Sequence, residues 1–284
     1  MNDEMTNAKT SSDAFPIFIL GSGRSGTTLL QKIINSADDV MIWGEHGGFL
    51  KQVALAYFHH TEKSRVKQAI FRRNPVAKDP NFDFHRLRQT DIAYSWLNWY
   101  GRREVTANFA GLIESFFHPP GMRKRYWGFK EIRYGGNDRA IEMLAELFPN
   151  ARFVLIARNP VDVIASQAAL GWGRRMALGS GWKQLSEAWA AQNRGLLQFQ
   201  RANEERTRWI RFESMISKDS GEVDDLFDWL GFETSDRLDE IVDLKEGIWR
   251  KERRDGKPHR AMFSKRKLRR IARIVRGPGS VLGY

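Results

Sequence analysis

One stretch constrains this chain more than any other: "FPIFILGSGRSGTTLLQKIINS", beginning at Phe15. Phe15 to Leu20 form a short, continuous apolar run, which predicts a strand buried on both faces and ended by Gly21. Thr27 to Ser36 place Leu29, Leu30, Ile33 and Ile34 on one helical face. Between strand and helix lies "GSGRSGTT", with Gly21 and Gly26 at the spacing of a phosphate-cradling loop. Glycines let a backbone turn sharply, so that amide groups and the positive end of the next helix converge on an anion. Gly23, Ser25 and Gly26 supply backbone amides, Arg24 a planar cation, and Thr27 and Thr28 hydroxyl donors. The loop departs from a nucleotide-triphosphate loop at one position. Thr27 stands where that loop carries the Lys that reaches the outer phosphates. This version suits one terminal phosphate better than a γ-phosphate with its metal.

The remaining chain continues the alternation. "VMIWGE" (Val40 to Glu45), Tyr126 to Lys130, "ARFVLIARNP" and "TRWIRFESM" read as strands. "DRAIEMLAELFP", "VDVIASQAALG", "SEAWAAQNRGLLQFQRANE" and "EVDDLFDWLGF" read as helices, the last closed by Gly231. This predicts an α/β, P-loop-type three-layer fold: a central parallel sheet with helices on both faces. Residues 1–14 read as a flexible N-terminal tail and 15–284 as one domain. A mostly helical insertion, rich in aromatic residues and arginine, is expected over about 49–119. A chain of 284 residues can bury a core of that size.

Lys and Arg number 46 against 34 Asp and Glu, a net charge of +12. That excess favours an anionic partner. The chain contains no cysteine, which excludes disulfides, thiolate metal sites and cysteine nucleophiles within it. Its first residues, "MNDEMTNAKTSSDA", lack the apolar core of a signal peptide, and no run approaches the ~18 apolar residues of a membrane span. A cytoplasmic enzyme is the expectation. The basic "KRKLRRIARIVR" has apolar residues at helical spacing. It reads as a surface helix packed through Leu268, Ile271 and Val275; the sharper alternative is peripheral contact with an anionic membrane or polymer.

A second anion motif lies in "FVLIARNPVDVIASQ". Arg158 at a strand's carboxyl end faces the ligand crevice of an open sheet. Ser166 follows two helical turns later, so its hydroxyl can point back to the same anion. With both motifs in order, the chain resembles sulfotransferases that use 3′-phosphoadenosine 5′-phosphosulfate (PAPS). The Arg-Ser-Gly-Thr-Thr form of the loop is similar to that of carbohydrate and tyrosylprotein sulfotransferases and their bacterial relatives. "GFKEIRYG", "WIRFESM", "DDLFDWLGF" and "SVLGY" extend the resemblance more weakly, and the insertion matches nothing in it.

The resemblance implies transfer of a sulfuryl group from PAPS to a hydroxyl or amine, by in-line displacement and without a required metal. It assigns the 5′-phosphosulfate to the loop and the 3′-phosphate to Arg158 and Ser166. Lys130, helped by Arg24, would stabilise the leaving charge. Glu45, in a Gly-Glu context like that of the related enzymes, is the first choice for the base, and would need partial burial to raise its pKa. His46 is its rival. Trp127 or Trp249 would stack on adenine, and residues 247–257 would close over the 3′-phosphate. The acceptor stays open. A carbohydrate or glycolipid fits the resemblance, the aromatic segments "AYSWLNWY" and "SFFHPP" suit a sugar ring or apolar alcohol, and the Arg clusters suit an anionic glycan. No nucleic-acid partner is expected. Two other readings compete: a P-loop small-molecule kinase, which predicts Mg²⁺-dependent ATP binding, and a non-catalytic module binding anionic polymers.

Overall fold

The computed structural model describes residues 15–62, 102–136, 138–172, 181–217, 219–233, 241 and 259–284. Five strands form one parallel sheet: β1 (Phe15–Gly21), β2 (Val40–Trp43), β3 (Tyr126–Glu131), β4 (Arg152–Ala157) and β5 (Thr207–Arg211). Their spatial order is β2-β3-β1-β4-β5. Strand β1 therefore sits in the middle, pairing in parallel with β3 on one side and β4 on the other. The strand order reverses there, and a crevice opens at the carboxyl ends of the strands.

The alternation of side chains along β1 separates two cores. Phe18 and Leu20 point to one face, where they meet Trp127, Phe129, Phe153 and Leu155. That layer is covered by α2 (Leu50–Thr61), α3 (Arg102–Phe117) and α4 (Ala140–Leu147). Phe18 is its centre, with the rings of Phe129 and Phe153 at 4.8 and 5.4 Å. Burying such a side chain stabilises the fold by about 2–3 kcal/mol. Ile17 and Ile19 point the other way, against Leu30, Ile33 and Ile34 of α1 (Thr27–Ile34). Leu226, Phe227 and Leu230 of α8 (Glu222–Leu230) complete that layer.

A third cluster joins α5 (Pro160–Ala169), α6 (Trp182–Ala202) and α9 (Lys265–Val281). Ile271 and Val275 are buried there and Leu268 packs at its edge, as the surface-helix reading requires. The arginines and lysines of α9 face outward. Both described ends of the expected insertion are helical: α2 and α3 bury Ala54, Tyr57, Val105 and Ile113 in the first core. Residues 63–101, including "AYSWLNWY", lie outside the described residues.

Two strands end earlier than their sequence suggests. β2 stops at Trp43, paired with Phe129, while β3 runs on to Glu131. β5 stops at Arg211, and Phe212–Met215 form the short helix α7. Helix α6 crosses the turn after β3 at a glycine–glycine contact. A Cβ on Gly195 would lie 1.8 Å from the carbonyl oxygen of Gly135. Gly195→Ala must therefore separate helix from turn, and is expected to destabilise the protein by about 2–3 kcal/mol, read from chemical denaturation.

Candidate active site

The loop after β1 holds a conformation that its side chains alone do not favour. Arg24 has φ 75° and Gly26 φ 95°. A non-glycine residue in this region costs on the order of 1–3 kcal/mol and persists only where its surroundings hold it. They do so here. Gln167 Nε2 donates to the Gly23 carbonyl at 2.8 Å. Ser22 Oγ donates to Gln192 Oε1 at 3.0 Å and accepts from Asn193 Nδ2 at 3.1 Å. At Gly26 a Cβ would strike the ring of Phe212 at 2.3 Å. Ser25 and Thr27 are buried, and Thr28 is exposed. The Ser25 hydroxyl has no hydrogen-bond partner. A buried, unpartnered donor among converging amides fits an anion in the cradle.

Arg158 and Ser166 come to the same place. Arg24 Nε donates to Ser166 Oγ at 3.1 Å, and Arg158 Nη1 donates to the Arg24 carbonyl at 3.3 Å. The Arg158 guanidinium lies 4.4 Å from the centre of the Phe212 ring. Burial, then the nearby charge of Arg158, lowers the pKa of Arg24. Two cations held together in this way leave an electrostatic deficit that an anion would fill. Sequence reasoning divides them between two anions. In the fold, Arg24 leans toward the Arg158 side.

Arg158 is fixed by the start of α5. The Asn159 side chain caps that helix by accepting from Val161 N at 3.0 Å, and Pro160 is its first residue. The Asn159 amide donates to Glu213 Oε1 at 2.8 Å, and Tyr284 donates to Glu213 Oε2 at 2.7 Å.

Across the crevice, β2 and β3 bring together a charged cluster. Lys130 Nζ lies 2.5 Å from Glu45 Oε1, and Arg133 Nη1 3.0 Å from Glu45 Oε2. Lys130 is almost fully buried and Glu45 is about one-third exposed. Burial alone would raise the pKa of Glu45, but Lys130 and Arg133 outweigh it and the net shift is downward. The expected upward shift is not found, because two cations compensate the lost hydration. Glu131 is fully buried. Its Oε2 accepts from the amides of Gly48 at 2.9 Å and His46 at 3.3 Å. Its Oε1 accepts from Ile132 N at 2.9 Å and Arg133 Nη1 at 2.6 Å. This carboxylate takes the place of a ladder partner beyond β2 and anchors the turn that carries Glu45.

The structure does not bring His46 to the crevice. Its ring lies among Phe49, Phe117 and Phe129, with Nε2 2.6 Å from the Tyr134 hydroxyl. Burial first, then the charge of Arg133, keeps its pKa below the ordinary value despite the opposing pull of Glu131. Trp127 is also misplaced by sequence reasoning. It is 2% exposed in the first core, because its parity on β3 directs it beneath the sheet, so it cannot stack on a ligand at the strand ends. Trp249 and residues 247–257 lie outside the described residues.

The profile of the sulfotransferase family matches residues 16–236, about three-quarters of the chain. The chain belongs to this family. No curated protein sequence matches it. Solved sulfotransferase structures share its fold, among them two enzyme domains. The sulfotransferase domain from the curacin biosynthetic pathway is 20% identical, with a TM-score of 0.51 over 88% of this chain and 83% of that one. The sulfotransferase domain from the Synechococcus PCC 7002 olefin synthase is 18% identical, with a TM-score of 0.51 over 89% and 84%.

In this sulfotransferase a cleft of about 730 Å³ opens beside the loop. Gly23, Arg24 and Glu45 line its charged end. Sequence reasoning misses several of its residues. Gln192 donates to the carbonyls of Ile132 at 2.9 Å and Tyr134 at 2.7 Å, joining the loop after β1 to the turn after β3. A Cβ on Gly23 would strike Trp172 at 2.4 Å, so that ring lies directly over the loop. One signal was available: Leu185, Ala188, Trp189 and Gln192 recur at the spacing of one helical face.

Two outcomes test this geometry. Glu131→Gln replaces two acceptor lone-pair sites by donors and is expected to destabilise the protein by about 2–4 kcal/mol in chemical denaturation. The pKa of Glu45 is depressed in the fold, so its ion pairs stabilise the protein above the usual carboxylate range and are lost as pH falls through the folded-state value. Melting temperatures measured between pH 7 and pH 3 should therefore fall less steeply for Glu45→Gln than for the parent protein.

Proposed function

We propose that the protein transfers a sulfuryl group from PAPS to a hydroxyl or amine acceptor. The observation that carries this reading is the convergence of Arg24, Arg158 and Ser166 beside a loop whose buried Ser25 hydroxyl lacks a partner. That arrangement suits a ligand with anionic groups at both ends of a nucleoside, and Thr27 in the Lys position disfavours a triphosphate. PAPS supplies the activated sulfuryl group.

The residues take the following roles. Gly23, Ser25, Gly26, Thr27 and Thr28 hold the 5′ end through amides and hydroxyls. Arg158 and Ser166 hold the 3′-phosphate, and Arg24 spans the two. Glu45 accepts the acceptor's proton, standing at the charged end of the cleft. Lys130 is shared between Glu45 and the anion in the loop. A bound anion would draw the ammonium away from Glu45, and the carboxylate's affinity for a proton would then rise. Charge stabilisation by Lys130 and proton removal by Glu45 are thus linked through one ion pair.

The test is binding followed by turnover. Adenosine 3′,5′-bisphosphate is expected to raise the melting temperature far more than ATP or AMP; no shift at saturation removes the reading. Arg158→Ala should shrink the bisphosphate's advantage over AMP by at least about tenfold in Kd. Glu45→Gln should keep the bisphosphate shift and lose about 10²–10⁴ in kcat. Full activity in that variant would transfer the proton role to another group.

A further inference from the structure

We propose, on the reading just given, that the acceptor is a mainly hydrocarbon alcohol or phenol presenting a single hydroxyl. The cleft beside the loop carries the argument. Arg158 and Ser166 are not among its lining residues, whereas Glu45 is, so it opens on the acceptor side of the reacting groups. Beyond the charged end, its walls are Ile132, Leu170, Trp172, Leu185, Ala188 and Trp189. Its volume is that of a site for a compact organic molecule.

Most polar groups on these walls already have a protein partner, and the Trp189 indole N–H, which has none, is buried away from the cleft. Ser22 and Gln192 bond each other, and Gln192 also bonds two backbone carbonyls. Gln167 is held by the Gly23 carbonyl. Lys51 pairs with Asp138 at 3.5 Å, and Arg133 with both Glu45 and Glu131. Among the described residues, Arg24 is thus the one cationic lining side chain without a carboxylate partner. A sugar bound here would lose water from several hydroxyls and find few groups to replace it. A sulfated glycan would add negative charge against an apolar wall. A hydrocarbon skeleton gains from the same wall and needs one polar contact, its hydroxyl against Glu45. In the transfer, that oxygen forms a bond to sulfur while the bond from sulfur to the bridging phosphate oxygen breaks. The hydroxyl proton passes to Glu45, and the bridging oxygen leaves with adenosine 3′,5′-bisphosphate.

Ala188 and Ala191 are exposed toward the cleft, so a larger side chain at Ala188 fills the cavity without entering the core. The experiment measures transfer from labelled PAPS to 2-naphthol, 1-octanol, a neutral oligosaccharide and heparin, for the parent protein and Ala188→Phe. Thermal shifts with the bisphosphate are measured in parallel. Turnover is expected with naphthol or octanol, with kcat/KM at least about tenfold above either glycan. Ala188→Phe should raise KM for that acceptor by about tenfold or more while keeping the bisphosphate shift. Two results overturn the acceptor class: faster turnover of a glycan, or no turnover of naphthol and octanol by a protein that still binds the bisphosphate. An unchanged KM in Ala188→Phe overturns the placement of the acceptor in this cleft. Loss of the bisphosphate shift in the parent protein instead strikes the donor assignment.

Discussion

The structure depends on β1 being bonded on both sides. With β3 and β4 parallel to it, the loop at its end can only emerge over the crevice between them. Every proposed site group follows from that placement. Glu45 comes after β2, Lys130 and Arg133 from the end of β3, and Arg158 after β4. Phe212, which shapes the loop at Gly26 and lies against Arg158, follows β5. No one of these segments is near another in the chain, and the sheet alone brings them together.

Charge divides the crevice into two halves with different balances. On the β4 side, Arg24 bonds the Ser166 hydroxyl and Arg158 the Arg24 carbonyl, and neither guanidinium pairs with a carboxylate among the described residues. On the β2–β3 side, two cations and two carboxylates neutralise one another. Glu131 and Glu45 differ sharply within that half. Glu131 has four donors and no exposure, so it holds backbone. Glu45 keeps about a third of its surface open and shares its lone pairs with long side chains that can move. The same chemical group therefore serves structure in one place and faces the cleft in the other.

Much of this was legible in the chain because it rests on local rules. A continuous apolar run followed by Gly-rich turn and amphipathic helix is readable at Phe15–Ile34. The Asn159–Pro160 cap marks the start of α5 without reference to any other segment. His46 and Trp127 were misread for one reason: a residue's direction depends on the pairing of its strand or turn. Parity on β3 sends Trp127 into the first core. The bonds of Glu131 to the His46 and Gly48 amides set the turn that lets Glu45 face the cleft while His46 enters the aromatic cluster.

The sequence by itself determined the α/β alternation, the anion-cradling loop and the residue types at each strand end, because propensity, periodicity and capping act over a few residues. Only the tertiary structure decided which of those residues meet. The Arg24–Ser166 contact spans 142 positions, the Lys130–Glu45 pair 85, and the Ser22–Gln192 bond 170. Contacts over such separations are set by strand order and helix packing, not by local sequence. The direction of the Glu45 pKa has the same origin, since burial and ion pairing oppose each other and only their geometry settles which is larger.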